Sequence, residues 1–93
     1  MIRSFADKRT EAVFLGLCPK RFPAPLFGRT RRALMRIDAA HRITDLSVPP
    51  SFRLHALKGD RASVWSISVN DQFRITFRFT DGEANDVCFE DYH

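Results

Sequence analysis

The hydrophobic pattern changes its period midway along the chain, and this change constrains the fold more than any other feature. Before Pro49-Pro50, apolar residues recur at helical spacing, most clearly from Pro25 to about Arg42. After these prolines, apolar and polar residues alternate, which is typical of half-buried strands. Short turns separate the alternating segments. Because short turns join antiparallel neighbours, the pattern predicts an α+β domain with a mostly antiparallel sheet.

The predicted order is one strand, two helices and then four strands, with the helices packed on one face of the sheet. Residues 1–5 form the first strand, Asp7 caps a short helix over residues 8–15, and Pro25 opens the second helix. The next three strands cover residues 52–57, 63–69 and 72–79. The last strand turns Val87 and Phe89 inward. The predicted turns are residues 58–61, 70–71 and 81–82.

The strand over residues 72–79 separates two faces of the sheet. Its aromatic and aliphatic positions point to the helices, while the opposite face carries Gln72, Arg74, Thr76 and Arg78. A small antiparallel sheet with a polar, arginine-bearing face is a common place to bind single-stranded RNA, because basic groups bind phosphate and aromatic groups stack on bases.

Length and composition limit the class of protein. A chain of 93 residues is expected to form a single domain, residues 1–93. A hydrophobic share of 44% with nine phenylalanines excludes a disordered chain. The longest apolar run has six residues, so we expect no transmembrane span, and charged residues near the N-terminus argue against a signal peptide. The expected location is the cytoplasm.

Cysteine spacing argues against a metal site. Cys18 and Cys88 lie 70 residues apart, with no CxxC motif and no nearby pair of ligands. In the absence of a signal for export, we expect two reduced thiols rather than a disulfide. A zinc site needs a closer cluster of cysteine and histidine, so we expect no metal and no cofactor.

Charge is distributed unevenly along the chain. Residues 1–62 carry 13 basic and 5 acidic groups, a net charge of +8, whereas residues 63–93 carry 2 and 6, a net charge of −4. Such asymmetry indicates a side that faces a polyanion. Arg29, Arg32 and Arg36 form a stripe on the second helix. This stripe is either a solvated face or a contact surface for an RNA backbone or an acidic partner.

Several short motifs, in order, give the chain a resemblance to a known family. They are residues 55–61 (HALKGDR), residues 65–75 (WSISVNDQFRI), Asp86-Val87 and the final Asp91-Tyr92-His93. Together they resemble the HigB toxins of bacterial type II toxin–antitoxin systems, within the RelE/ParE superfamily. Phe73 stands where this family is expected to have tryptophan, and residues 17–27 do not match closely.

The resemblance implies a ribosome-dependent mRNA endonuclease that cleaves in the ribosomal A site without a metal. The ribose 2′-OH attacks the adjacent phosphate, giving a 2′,3′-cyclic phosphate and a 5′-OH. The implied partners are the ribosome and its RNA, mRNA, and a HigA-type helix-turn-helix antitoxin, which alone contacts operator DNA. No membrane partner is implied.

The resemblance also assigns candidate residues to this chemistry, which needs a base, an acid and cationic stabilisation. Arg74 and Lys58 supply positive charge at the phosphate. His93 is a general acid or base, Asp91 is the base or orients His93, and Tyr92 stacks on a base or hydrogen-bonds the phosphate. The weaker candidate is His55. The residues expected to bind RNA are Arg29, Arg32, Arg36, Arg61 and Arg78.

Two other functions remain open from the sequence. The first is a ParE-like inhibitor of DNA gyrase, which shares the fold but has no need of Lys58 or of the final Asp91-Tyr92-His93. The second is a non-catalytic toxin relic that only binds an antitoxin, against which the intact candidate residues argue.

Overall fold

The computed structural model describes residues 1–61 and 63–91. Within these stretches the chain forms two α-helices and four strands: α1 (Lys8–Phe14), α2 (Phe27–Ala39), β1 (His55–Ala56), β2 (Val64–Ser68), β3 (Phe73–Thr80) and β4 (Glu83–Asp91). Short 3-10 turns cover Ala24–Leu26, Ile43–Ser47, Pro50–Phe52 and Gly59–Arg61. The strands form one antiparallel sheet in the order β1-β2-β3-β4, which confirms the predicted α+β class.

Both helices begin close to where the sequence predicts them. The Asp7 carboxylate accepts a hydrogen bond from the backbone N–H of Thr10 at 2.8 Å, which is the predicted N-cap of α1. Helix α2 begins at Phe27 rather than Pro25, because Pro25 lies in the 3-10 turn that precedes it. It also ends early, since the backbone of Ala40 is already extended.

The prediction of a regular strand over residues 1–5 is wrong, although the segment does lie against the sheet. The N-terminal segment runs along the outer edge of β4, but it pairs there only through two isolated parallel bridges, Ile2 with Ala84 and Phe5 with Val87. Asp86 has a φ of 54° and lies between these two bridge positions. Its left-handed backbone bends β4 locally, so a continuous parallel ladder cannot form along this edge.

The strand predicted over residues 52–57 is much shorter in the structure. Residues 50–52 form a 3-10 turn, and Arg53 follows with a left-handed backbone at φ 47°. Only His55 and Ala56 remain to pair with β2, opposite Ser66 and Trp65. The edge of the sheet next to β2 is therefore made of a two-residue strand and irregular backbone.

The two hairpin turns differ in how well the sequence predicts them. The Asn70 carboxamide oxygen accepts hydrogen bonds from the backbone N–H groups of Gln72 and Phe73, at 2.9 and 2.7 Å. This turn is wider than the predicted two-residue loop, so β3 begins at Phe73. The Asp81-Gly82 turn is a two-residue hairpin as predicted, and both residues have positive φ.

The core lies between the sheet and the two helices. Its sheet side is formed by alternate residues of β2, β3 and β4, all fully or almost fully buried: Ile67, Ile75, Phe77, Val87 and Phe89. The helices contribute Val13, Leu34 and Ile37, which are also fully buried. Both helices thus pack on one face, as predicted, and the opposite face is left to carry the polar residues. No helix in the described stretches is long and apolar enough to cross a membrane.

Candidate active site

The strand register arranges the polar side chains of the free face in two rows. Residues paired across neighbouring strands point to the same face. The first row contains His55, Ser66, Thr76 and Cys88, and the second contains Ser68, Arg74 and Glu90. Two of the predicted catalytic residues, His55 and Arg74, therefore lie on the same face of the sheet.

Arg74 is more buried than a polar strand face suggests. Only 9% of the residue is exposed, and its neighbour two positions along, Thr76, is 1% exposed. Burial of a guanidinium in a site with little water strengthens its interaction with any anion that reaches it. Opposite Arg74 on β4 lies Glu90, whose carboxyl pKa is lowered mainly by a hydrogen bond from Arg61 and to a smaller extent by the charge of Arg74.

A pocket of about 180 Å³ opens on this face and brings Arg74 and His55 together. Its walls come from β1, β2, β3 and the β2–β3 turn: Arg53, His55, Ser66, Ser68, Asn70, Asp71 and Arg74. The alternation in β2 predicts that Ser66 and Ser68 lie on the polar face of the sheet. Nothing in the sequence indicates that Arg53, in irregular backbone, and the turn residues Asn70 and Asp71 complete the pocket. These five residues were missed as site residues.

A backbone carbonyl fixes the orientation of the His55 ring. Its Nδ1 atom lies 3.0 Å from the carbonyl oxygen of Arg53. Since a carbonyl only accepts hydrogen bonds, Nδ1 carries the hydrogen, and this assignment leaves Nε2 available to exchange a proton with a ligand. The left-handed turn at Arg53 that shortens β1 is thus the same feature that orients the histidine.

Two other predicted catalytic residues, Lys58 and Asp91, do not line this pocket. Lys58 is exposed in the turn after β1. Asp91 pairs with Phe73, so it lies on the helix-side face, opposite to Arg74, where it accepts a hydrogen bond from the Gln72 side chain at 3.1 Å. Tyr92 and His93 lie outside the described residues. Strict alternation along β4 predicts this separation of Asp91 from Arg74.

Two of the five arginines predicted to bind RNA form ion pairs with β4. Arg61 pairs with Glu90 at 2.6 Å, and Arg78 pairs with Asp86 at 3.6 Å across more exposed side chains. The hydrogen bond from Arg61 lowers the pKa of the Glu90 carboxyl, and the same bond raises the pKa of Arg61. Both groups therefore stay charged at neutral pH.

The other three arginines line a groove of about 620 Å³ between α2 and the loop at residues 49–52. Arg29 donates to the carbonyl of Val69 at 3.0 Å, and Arg36 donates to the carbonyl of Val48 at 2.6 Å. Arg32 lines the groove between them. These carbonyl contacts orient two guanidiniums without neutralising them, so the groove keeps its positive charge.

Cys88 is not a nucleophile at neutral pH. Burial raises the pKa of its thiol to about 11, and the nearby Asp7 carboxylate acts in the same direction. The thiol therefore stays protonated. Among residues 1–61 and 63–91, no three histidine, cysteine or carboxylate side chains come together in a way that could hold a metal ion.

The fold places the chain in a class of small α+β domains that a solved structure already represents. A solved structure described as a YoeB/ParE toxin from Agrobacterium tumefaciens superposes on the chain with a TM-score of 0.52. The match covers 96% of each chain at 17% identity, which supports the fold alone.

Sequence relatives define the family within that class. The profile of a family described as the RelE-like toxin HigB of type II toxin–antitoxin systems matches residues 3–93. Endoribonuclease HigB of Proteus vulgaris is 40% identical over the full length of both chains. Toxin HigB-1 of Vibrio cholerae serotype O1 is 37% identical over 90% of each. The chain belongs to the HigB-like family of type II toxins, which confirms the resemblance, and an antitoxin is therefore its partner.

Proposed function

We propose that this chain is an endoribonuclease that cleaves translated mRNA in the ribosomal A site, in the cytoplasm, and is neutralised by a HigA-type helix-turn-helix antitoxin. The observation that carries this proposal is a pocket lined by both Arg74 and His55, whose ring is held by the carbonyl of Arg53. A full-length relative at 40% identity that is named an endoribonuclease supports it. Operator DNA is contacted through the antitoxin only.

The scissile phosphate binds at Arg74 in this proposal. A guanidinium matches two phosphate oxygens with two parallel N–H groups and keeps its charge through the reaction. Its burial beside Ser68 excludes water and strengthens the attraction to the extra negative charge that develops in the transition state. Lys58, exposed in the turn beyond β1, supplies a second positive charge.

Proton transfer is the second requirement of the reaction. The base takes the proton of the 2′-OH as its oxygen bonds to phosphorus, and the acid gives a proton to the 5′-oxygen as its bond to phosphorus breaks. His55 lines the same pocket as Arg74, and its Nε2 serves as one of these two groups. His93 serves as the other. The helix-side position of Asp91 favours an orienting role toward His93 over direct contact with the phosphate.

The ribosome-binding surface in this proposal is the groove beside α2. Arg29, Arg32 and Arg36 carry positive charge there, and two of them are held in place by backbone carbonyls. Phosphate groups of ribosomal RNA fit such a stripe, and Arg78 offers a separate contact on the polar face of the sheet. Tyr92 stacks on a base of the mRNA.

Mapping of RNA 5′ ends in cells tests this function. The wild type and the Arg74→Ala variant are induced without antitoxin, and 5′-OH ends are mapped across the transcripts. We expect new ends inside reading frames for the wild type and at least about a hundredfold fewer for Arg74→Ala, because loss of one group that stabilises transition-state charge costs this much in rate.

The matched control for this experiment is Arg3→Ala, which removes the same charge from the exposed N-terminal segment, away from the pocket and from the proposed RNA-binding surface. We expect this variant to retain cleavage. Growth arrest by the wild type without new 5′ ends inside reading frames would contradict the nuclease proposal, and gyrase inhibition in the same cells would identify the ParE-like alternative.

A further inference from the structure

Glu90 forms a two-point contact with Arg61 that joins the two ends of the polar face. The guanidinium donates to Oε1 at 2.6 Å and to Oε2 at 3.0 Å. Arg61 is the last residue of the segment 58–61, which consists of Lys58 and the 3-10 turn Gly59–Arg61 and is called the Lys58 turn below. Glu90 immediately precedes Asp91 at the end of β4. The contact spans 29 residues in sequence and connects two segments that both carry predicted catalytic residues.

Thr76 ties this ion pair to the middle of the sheet. Its hydroxyl donates to Glu90 Oε2 at 2.7 Å and accepts from Arg61 at 3.3 Å. Thr76 is 1% exposed, so this part of the network is shielded from water. Glu90 also lies opposite Arg74, whose charge acts on its carboxyl. One carboxylate thus contacts the Lys58 turn through Arg61 and faces the phosphate-binding arginine.

We propose that Glu90 is a positioning residue, which through Arg61 holds the Lys58 turn against the polar face at the distance from Arg74 that catalysis requires. This inference rests on the proposed endoribonuclease function. Glu90 does not touch the RNA in this account. It acts by fixing where the second positive charge lies, and a misplacement of about 1 Å at a reacting centre lowers rates by up to about a hundredfold.

The ion pair between Arg3 and Glu83 serves as a comparison, because it has no connection to the proposed catalytic residues. Arg3 and Glu83 approach through a single contact at 3.6 Å, with both side chains about half exposed. This pair joins the N-terminal segment to the start of β4, away from the pocket. It therefore provides a matched control in which a similar charge is removed from the same strand as Glu90.

The experiment measures single-turnover cleavage on ribosomes programmed with a defined mRNA. The variants are Glu90→Gln, Arg61→Gln and the double variant, with Glu83→Gln as control. Glutamine nearly preserves the shape of glutamate, so folding is retained. We expect each single variant to lose about 10- to 100-fold in the cleavage rate at saturating ribosome, and the double variant to lose no more than the worse single one, because both remove the same contact.

Two further readouts separate positioning from general stability. Affinity for the programmed ribosome changes by less than about threefold, because the effect falls on the rate and not on binding. Arg61→Lys, which keeps the charge but not the two-point geometry, recovers part of the rate lost in Arg61→Gln. Amide hydrogen exchange in residues 58–61 becomes faster in Glu90→Gln and stays unchanged in Glu83→Gln.

The possible results are distinguishable. If the wild type cleaves and Glu90→Gln cleaves within about twofold of it, Glu90 has no positioning role and the inference is wrong. The inference is equally wrong if the losses of the two single variants multiply in the double variant, or if Glu83→Gln loses as much rate as Glu90→Gln. If the wild type itself does not cleave, the endoribonuclease proposal fails, and the role of Glu90 fails with it.

Discussion

Burial decides what Arg74 can do, and burial is the property that a single sequence conveys least. Alternation in β3 predicts that Arg74 points away from the core, but it does not predict that only 9% of the residue is exposed. His55 ranks below the other candidates in sequence, because a histidine in a sheet is often structural. The carbonyl of Arg53 changes this ranking, since it orients the ring of a residue that lines the same pocket as Arg74. Nothing in the local sequence predicts that contact.

Glu90 makes a pH-dependent contribution to stability that can be isolated by substitution. Its pKa is lowered by the hydrogen bond from Arg61, so the folded protein holds this carboxyl in its charged form. A carboxyl with a lowered folded-state pKa stabilises the fold above its unfolded pKa, and that contribution is lost as the pH falls through the folded value. We therefore expect Glu90→Gln to be less stable than the wild type at pH 7, by about 1 kcal/mol for a partly exposed pair.

Urea unfolding from pH 7 down to pH 3 measures this difference. The stability gap between wild type and Glu90→Gln is constant down to about pH 4.3, the ordinary value for glutamate, and narrows only below it. Asp45, whose pKa is also lowered through hydrogen bonds from the Arg42 and His41 backbone, is present in both proteins and cancels from the gap. A gap that widens on acidification would contradict the assigned direction.

At the scale of elements, segments governed by local chemistry are predicted well and segments governed by distant contacts are not. The Asp7 cap of α1 and the Asp81-Gly82 hairpin depend on neighbouring residues, and both match the structure. Strand β1 and the N-terminal edge segment do not match. The left-handed backbone at Arg53 limits the length of β1, and the left-handed backbone at Asp86 interrupts the pairing of the N-terminal segment. Neither arginine nor aspartate has to adopt this conformation, so the sequence does not predict it.

The cap of α1 can be tested by two substitutions at one position. Asp7→Ala removes the oxygen that accepts from Thr10 N–H, whereas Asp7→Asn keeps a capping oxygen. We expect Asp7→Ala to lose about 1 kcal/mol, which lowers the melting temperature by about 4–8 °C in a domain of this size. Asp7→Asn loses less. Thermal melts of the three proteins at neutral pH check this order, and equal losses in both variants would show that the carboxylate charge matters rather than the cap.

For the whole molecule, folding redistributes the charge asymmetry of the sequence. The basic first part and the acidic last part meet at the sheet, where Arg3 and Arg61 pair with Glu83 and Glu90 of β4. The stripe of Arg29, Arg32 and Arg36 on α2 forms no salt bridge with any residue that the structure describes. This stripe thus keeps its positive charge, and Ser68 lines both the groove of α2 and the pocket. This arrangement suits a protein that binds RNA over a wide surface and cleaves it at one point.

The most direct test of the central claim removes a single hydroxyl group from the substrate. Purified protein is mixed with ribosomes carrying an mRNA that is either all ribose or 2′-deoxy at the nucleotide before the cleaved bond. If the pocket of Arg74 and His55 promotes attack by the 2′-OH, the ribose mRNA yields a 2′,3′-cyclic phosphate and a 5′-OH, and the deoxy mRNA remains intact. Cleavage of the deoxy mRNA at the same bond, or cleavage of neither mRNA, would contradict the account.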